Sequence, residues 1–314
     1  MNSFFDVIKG NASERPKRKK ITVTAIYATA ALIFCMLIVL TVSLIASSAK
    51  DSDKDPDASD TLTYVGLTVD ASDIHSGDLI LVNKKNTFSF EDNTELVSFS
   101  SGKGYGLKDN TLKANPKALA AFDAMIADLN SNVSDADVVV MTAYRSKEYQ
   151  DSLSNGTPGG CSDFHTGMSF ELKDGDTYDA SYDNLNALRK YDWLYENAHK
   201  YGFIVRYPDD TESKSFSAIT GVDDYAYVFR YVGTAHATYI YESGLCLEEY
   251  LEFLRTAHKQ GTSLKIKGAD SVNYEVYYCE ATNDSTEIQV PTKYHYEISG
   301  DNMNGYIVTV SKSK

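Results

Sequence analysis

"GGCSDFHTGMSFEL", residues 159–172, is the stretch from which the rest of the chain can be read. Gly159, Gly160 and Ser162 are small, Thr166-Gly167 is a turn pair, and Met168, Phe170 and Leu172 alternate with Ser169 and Glu171. Alternation with a period of two is the pattern of a strand that buries one face. The stretch therefore predicts a glycine-rich loop (155–160), a tight turn and a strand, the layout of a site carried on a sheet.

On the N-terminal side, "DVVVMTAY" (137–144) reads as a buried strand leading into a helix that begins in "RSKEYQDSL". Before it, "NPKALAAFDAMIADLNS" has Asn115 at an N-cap and Pro116 at the first helical position. Leu119, Phe122, Ile126 and Leu129 recur there at helical spacing and give one buried face. "GDLILVNKKNTFSF" (77–90) reads as a strand followed by a turn. On the C-terminal side, "NALRKYDWLYENAHKYG" reads as a helix stopped by Gly202, "FIVRY" and "DYAYVFRYVG" as strands, and "LCLEEYLEFLRTAHKQG" as a helix with Leu247, Leu251 and Leu254 on one side. From about Ser263 the character changes to short strand-like segments, "YEVYYC", "TEIQV", "YHYEIS" and "GYIVTV", separated by Asn, Asp, Gly and Pro.

The chain opens differently. Ile21 to Ser48 contains no charged residue, more than the roughly 20 apolar residues a bilayer span needs. Residues 1–20 carry Lys9, Arg15, Lys17, Arg18, Lys19 and Lys20 against Asp6 and Glu14, a net charge of +4. The positive-inside rule sets that tail in the cytoplasm and the remainder outside. With −14 on the whole chain, −18 falls on everything after the tail. So acidic a surface argues against nucleic acid and favours basic or neutral ligands. Residues 49–75, opening with the acidic "KDSDKDPDASDT", read as a solvated linker. Cys35 lies in the apolar run; Cys161, Cys246 and Cys279 show no C-x-x-C spacing, so three buried thiols are expected, with a single bridge as the alternative.

Three stretches, in this order, resemble the VanY-type D-alanyl-D-alanine carboxypeptidases, zinc peptidases that trim the terminal D-Ala from cell-wall peptides. "TAYRSKEYQDSL" is similar to that family's Tyr-Arg-Ser motif with its following Gln. "GGCSDFHTGMSFEL" is similar to its Ser-x-His-x-x-Gly-x-Ala-x-Asp, and "ITGVDDYAYVFRYVGTAHA" to the motif that supplies its last zinc ligand and its catalytic Glu. The resemblance implies an α+β, hedgehog/DD-peptidase-like domain over 76–260, with a central antiparallel sheet flanked by helices. One transmembrane helix (21–48) would precede it and a small β-rich appendage (261–314) would follow.

Carried over residue by residue, the resemblance puts Phe164, Glu171 and Val228 at the three zinc-ligand positions and Tyr225 at the position of the catalytic Glu. Phenylalanine and valine offer no lone pair to a metal. A phenol, with its pKa of about 10, is a poor proton acceptor at neutral pH. The same resemblance makes Arg145, Gln150, Ser162 and Arg230 candidate substrate-binding residues, Arg145 for a peptide carboxylate; the alternative for each is to hold loops together. His236 is expected as a structural, hydrogen-bonded residue. The expectation is a membrane-anchored, extracytoplasmic, non-catalytic binder of peptidoglycan stem peptides or of an envelope protein, without a cofactor. Its alternatives are an active carboxypeptidase with zinc relocated to His165, Glu171 and Asp224, and an interaction protein whose cleft is filled by Phe164, Tyr225 and Tyr227. If the segment is extended, His165 faces the opposite side from the ligand position Phe164 unless a bulge intervenes, because one residue's shift along a strand reverses the face.

Overall fold

A computed structural model describes residues 63–314 apart from 91, 93, 154, 155, 176–190, 224, 283 and 314. The basic tail, the apolar run 21–48, residues 49–62 of the linker and Asp224 lie outside the described residues. Among the described residues no helix is long and apolar enough to cross a membrane. Residues 62–314 form one compact unit.

The linker expected over 49–75 ends early, since Tyr64–Asp70 is a strand, β1, followed by a 3-10 turn at Ala71–His75. Two short strands, β2 (Val97–Ser98) and β4 (Lys113–Ala114), pair with each other, and β3 (Gly106–Leu107) lies between them in the chain. Helix α1 spans Pro116–Asn132, with the Asn115 side chain accepting the amide protons of Lys117 and Ala118. Its buried face carries Leu119, Phe122, Ile126 and Leu129 as the spacing predicts, together with Met125.

The elements that follow are β5 (Val138–Thr142), α2 (Lys147–Ser152), β6 (Ser169–Asp174), α3 (Asp192–Asn197), β7 (Phe203–Val205), α4 (Phe216–Thr220) and β8 (Val228–Tyr231). The central sheet has the order β3-β5-β6-β8-β7. All its pairs are antiparallel except β3–β5, which is parallel, so the sheet is mixed rather than purely antiparallel. α1 covers one face: Phe122 meets Phe170 of β6 with ring centroids 4.9 Å apart, and Phe203 of β7 at 6.3 Å.

Helices α5 (Thr234–Ser243) and α6 (Leu247–Ala257) lead to β9 (Leu264–Lys267), β10 (Asn273–Glu280), β11 (Ser285–Pro291), β12 (His295–Gly300) and β13 (Gly305–Ser311). The order β12-β13-β10-β9 makes one sheet, and β11 pairs with β1 from Tyr64↔Pro291 to Asp70↔Ser285. β10 is buried on both faces. Tyr277 joins Val69, Ile288, Val290, Tyr306, Val308 and Val310 in one core. Val276 and Tyr278 join Leu251 and Leu254 of α6, Leu264, Ile307 and the incoming Leu79 and Leu81 in another. The stretch 261–314 thus shares its packing with residues 79–81 and 204–254. His236 of α5 is locked between Tyr250 Oη (2.7 Å) and Thr309 Oγ1 (2.8 Å), tying α5 to α6 and β13.

Residues 77–90 form no strand, contrary to the expectation. Leu79, Ile80, Leu81 and Val82 are buried, but their backbone groups are spent elsewhere: the carbonyls of Asp78 and Ile80 accept from Arg230 (3.0 and 3.2 Å), and the amide of Leu79 donates to Ser299 Oγ. That arginine belongs to a buried ionic cluster. Asp163 Oδ1 lies 2.8 Å from Arg230 and 3.3 Å from Arg206 Nε, Ser169 Oγ donates to Asp163 Oδ2, and Arg206 forms a two-pronged pair with Glu248 at 3.0 and 2.9 Å. Burial pushes the Asp163 carboxyl up, and the two guanidiniums override it and hold the group below the usual range.

Removing one member of a buried ion pair strands its partners' charge, at a cost on the order of 3–5 kcal/mol. Urea denaturation of Asp163→Asn is expected to show a loss of that order, and a smaller one for Glu248→Gln, whose side chain reaches the surface. Burial also pushes His236 down to about 3. Below about pH 6.5 the unfolded chain binds a proton there that the folded chain refuses, so stability falls as the pH drops from about 6.5 toward 3. A His236→Gln variant is expected to lose up to about 1.4 kcal/mol per pH unit of that slope, checked by denaturation from pH 7 to 4.

Candidate functional site

The open face of β5 and β6, with Tyr225 and Tyr227 just before β8, forms the floor of a cleft of about 720 Å³, within the usual range for ligand sites. A bulge in β5 sets the floor's register. Val140 opposes Leu172 and the next paired residue, Thr142, opposes Glu171, leaving Met141 as the extra residue. Thr142 and Glu171 therefore share a face. The strand ends there, and Arg145 follows just before α2, whose N-cap Ser146 accepts the Tyr149 amide proton.

Arg145 donates to Glu171 Oε2 (3.2 Å), Thr142 Oγ1 (3.1 Å) and Gln150 Oε1 (3.2 Å), and its guanidinium carbon stands 4.3 Å from the centre of the Phe164 ring. Gln150 is fixed in turn, its amide donating to the Thr157 carbonyl at 3.0 Å. Tyr225 Oη donates to the same Glu171 oxygen at 3.1 Å. Burial first, and the Glu171 charge second, push the Tyr225 phenol well above its ordinary value, so it stays protonated. Around this cluster the rings of Phe164, Tyr207, Tyr225 and Tyr227 pack on one another: Tyr225 meets Tyr227 edge-on at 4.7 Å and stacks against Tyr207 at 5.8 Å. These aromatics line an open cleft and do not fill it, contrary to the filled-cleft alternative.

Residues 163–166 are a 3-10 turn, not an extended segment. Gly167 ends the turn at φ 67, a conformation costly for residues with a Cβ, and a Cβ there would stand 3.1 Å from the Asn115 backbone nitrogen. The turn aims Phe164 at the cleft and sends His165 away from Glu171. Both His165 ring nitrogens are engaged: Nε2 accepts the Gly160 amide proton (2.9 Å), so Nδ1 carries the proton donated to the Arg145 carbonyl (2.7 Å). Burial lowers its pKa further, which keeps the ring neutral.

Of the residues singled out from the sequence, Arg145, Gln150, Ser162, Phe164, Glu171 and Tyr225 line this one cleft. Arg230 does not. It opposes Ser169 on β6, has no exposed surface and serves the Asp163 cluster, so it is a scaffold residue and not a ligand contact. Val228 opposes Glu171 and is likewise fully buried, outside the cleft lining. Sequence reasoning missed Thr142, Tyr207, Asp163 and Arg206, although the charged Arg206 inside the apolar run "FIVRY" is a signal that a buried partner exists. Cys161, Cys246 and Cys279 are free, and only Cys246 is fully buried.

The donor set does not fit a zinc ion. Phe164 and Val228 have no donor atom, and Oε2 of Glu171 already accepts two protons. Among the described residues no group of three His, Cys, Asp or Glu side chains is arranged to hold a metal.

A mixed sheet packed on α1, with a cleft on its other face built from three ordered motifs, is an α+β architecture, and comparison with known proteins assigns it to a family. The family model described as VanY, D-alanyl-D-alanine carboxypeptidase, matches residues 111–234. A D-alanyl-D-alanine carboxypeptidase of Enterococcus faecium is 30% identical over 255 residues, 77% of this chain and 78% of that protein. Another, of Enterococcus faecalis, is 30% identical over 197 residues, 55% of this chain and 65% of that one. Among solved structures, the vancomycin-resistance D,D-dipeptidase VanXYg in complex with a D-Ala-D-Ala phosphinate analog superposes with a TM-score of 0.66 at 25% identity. That match covers 80% of this chain and 100% of the other. The chain belongs to the VanY D-alanyl-D-alanine carboxypeptidase family.

The Arg145–Glu171–Tyr225 cluster predicts an order of stabilities. Tyr225→Phe removes one hydrogen bond to a carboxylate and is expected to cost about 1.5–3 kcal/mol. Arg145→Met, which leaves Glu171 without its counter-charge, is expected to cost about 3–5 kcal/mol. Chemical denaturation of the two variants, alone and combined with Glu171→Gln, checks the order and the coupling.

Proposed function

We propose that this protein binds the carboxyl end of peptidoglycan stem peptides in the Arg145 cleft and does not hydrolyse them. The observation that carries the reading is the pairing of Glu171 with Arg145 and Tyr225: the carboxylate at the second ligand position is neutralised from within the protein, beside two positions that lack donor atoms. The family relationship supports a cell-wall peptide as ligand, since the related solved structure is a complex with a D-Ala-D-Ala analog. Arg145, Gln150 and Ser162 are the proposed ligand contacts. The alternative, a zinc centre moved to His165, Glu171 and Asp224, meets the objection that both nitrogens of His165 are already hydrogen-bonded. The uncharged run 21–48 and the basic tail before it support a single-pass membrane protein with residues 49–314 outside the cell, where the peptide or an envelope partner is met.

The test is made on full-length protein purified without chelator. Elemental analysis and a zinc titration are expected to find far less than one zinc per chain, with no D-Ala released from a peptide ending in D-Ala-D-Ala. The same peptide is expected to bind by calorimetry and to weaken about tenfold or more with Arg145→Lys, which keeps the charge and loses the fork. One tightly bound zinc per chain with D-Ala release would restore the hydrolase.

A further inference from the structure

The charges that line the cleft are divided unevenly between floor and mouth. On the floor, Arg145 and Glu171 cancel each other, and both hydrogens of the Arg145 terminal nitrogen nearest Glu171 are engaged by Glu171 and Thr142. At the mouth stand Lys84 and Lys85, from the loop after the buried 79–82 segment, and Lys108, just beyond β3. All three are exposed, and none makes an ion pair among the described residues. The other acidic residue of the described lining is Asp223, also exposed. Among the described residues of the lining, the mouth therefore has two positive charges in excess, in a chain whose net charge is −14.

We propose that the ligand is an acidic peptide, recognised by Lys84, Lys85 and Lys108 through one or more carboxylates away from its terminus. The inference rests on the peptide-binding role proposed above and adds where the anion is read. A carboxylate arriving at Arg145 must compete with Glu171, which already neutralises that guanidinium, whereas one arriving at the mouth meets Lys84 and Lys85, which make no ion pair among the described residues, and Lys108, whose nearby carboxylate is that of Asp109. The negative charge of the rest of the molecule does not cancel this, because charges beyond a Debye length, about 8 Å at physiological salt, are screened. Cations on the rim of a binding site act mainly on the rate of encounter and on its salt dependence.

Calorimetry on the full-length protein with N-acetyl-Glu-Glu-Glu-D-Ala-D-Ala and its Gln-Gln-Gln counterpart tests this. At low salt the acidic peptide is expected to bind about tenfold tighter, as three exposed ion pairs would give, and 0.5 M NaCl should remove most of the difference. The Lys84→Ala/Lys85→Ala variant should bind the acidic peptide about fivefold more weakly and the neutral one unchanged. Both lysines are exposed, and a thermal unfolding curve confirms the fold of the variant. Equal affinity for the two peptides, unaltered in the variant, overturns the inference and leaves the peptide-binding role standing. No binding of either peptide to a cooperatively folded protein overturns both.

Discussion

The interaction on which the rest depends is the burial of Asp163 between Arg230 and Arg206. Three charges with no exposed side-chain surface are held together where the 162–167 turn, β8 and the residue after β7 meet. Such a cluster contributes little net stability compared with an apolar core of the same volume, and it is costly to break. Its effect is positional. Arg230 fixes the backbone of residues 78–80 through two carbonyls, and Arg206 fixes α6 through Glu248. Asp163 fixes the turn that presents Phe164 to the cleft. The floor of the site is therefore set by electrostatics on its far side.

On the near side a second ion pair does different work. Glu171 sits beside Val228 in the register of the sheet and across the bulge from Thr142, so its carboxylate must find a counter-charge inside the cleft. A metal ion or a protein cation can supply that counter-charge, and here Arg145 is the cation. Tyr225 then adds a hydrogen bond that only a protonated phenol can make, and burial first, with the Glu171 charge second, keeps that phenol protonated. The parts are mutually consistent: an aromatic wall, a neutral floor, and a histidine turned outward with both nitrogens occupied.

The elements whose causes are local were legible in the sequence. α1 follows from Asn115, Pro116 and four apolar residues at helical spacing, and β6 follows from alternation. What was not legible depends on partners far along the chain. β1 looks like linker until β11, more than 200 residues later, pairs with it. Leu79–Val82 looks like a strand because burial and strand formation favour the same residues, and only a guanidinium from residue 230 shows that its carbonyls are used otherwise. Arg230 looked like a ligand contact because a motif gives order and not facing. Opposite Ser169 it points to Asp163 and away from the cleft. Arg145, Gln150, Ser162, Phe164, Glu171 and Tyr225 were all found because the motifs that carry them converge on one sheet face.

Composition and the cleft speak to different length scales, and the reason is geometric. A net charge of −14 suggests a surface that repels anions. Net charge sets the field seen from far away, while a ligand entering a cleft responds to charges within a few ångströms, where screening leaves little of the rest. Lys84 and Lys85 come from one loop and Lys108 from another. Both loops line one cleft, and Lys108 is brought to it by β3, which runs parallel to β5 at the edge of the sheet that carries the floor. With the floor already neutral, the sign of the described lining is decided at its mouth, and that sign is opposite to the sign of the whole chain.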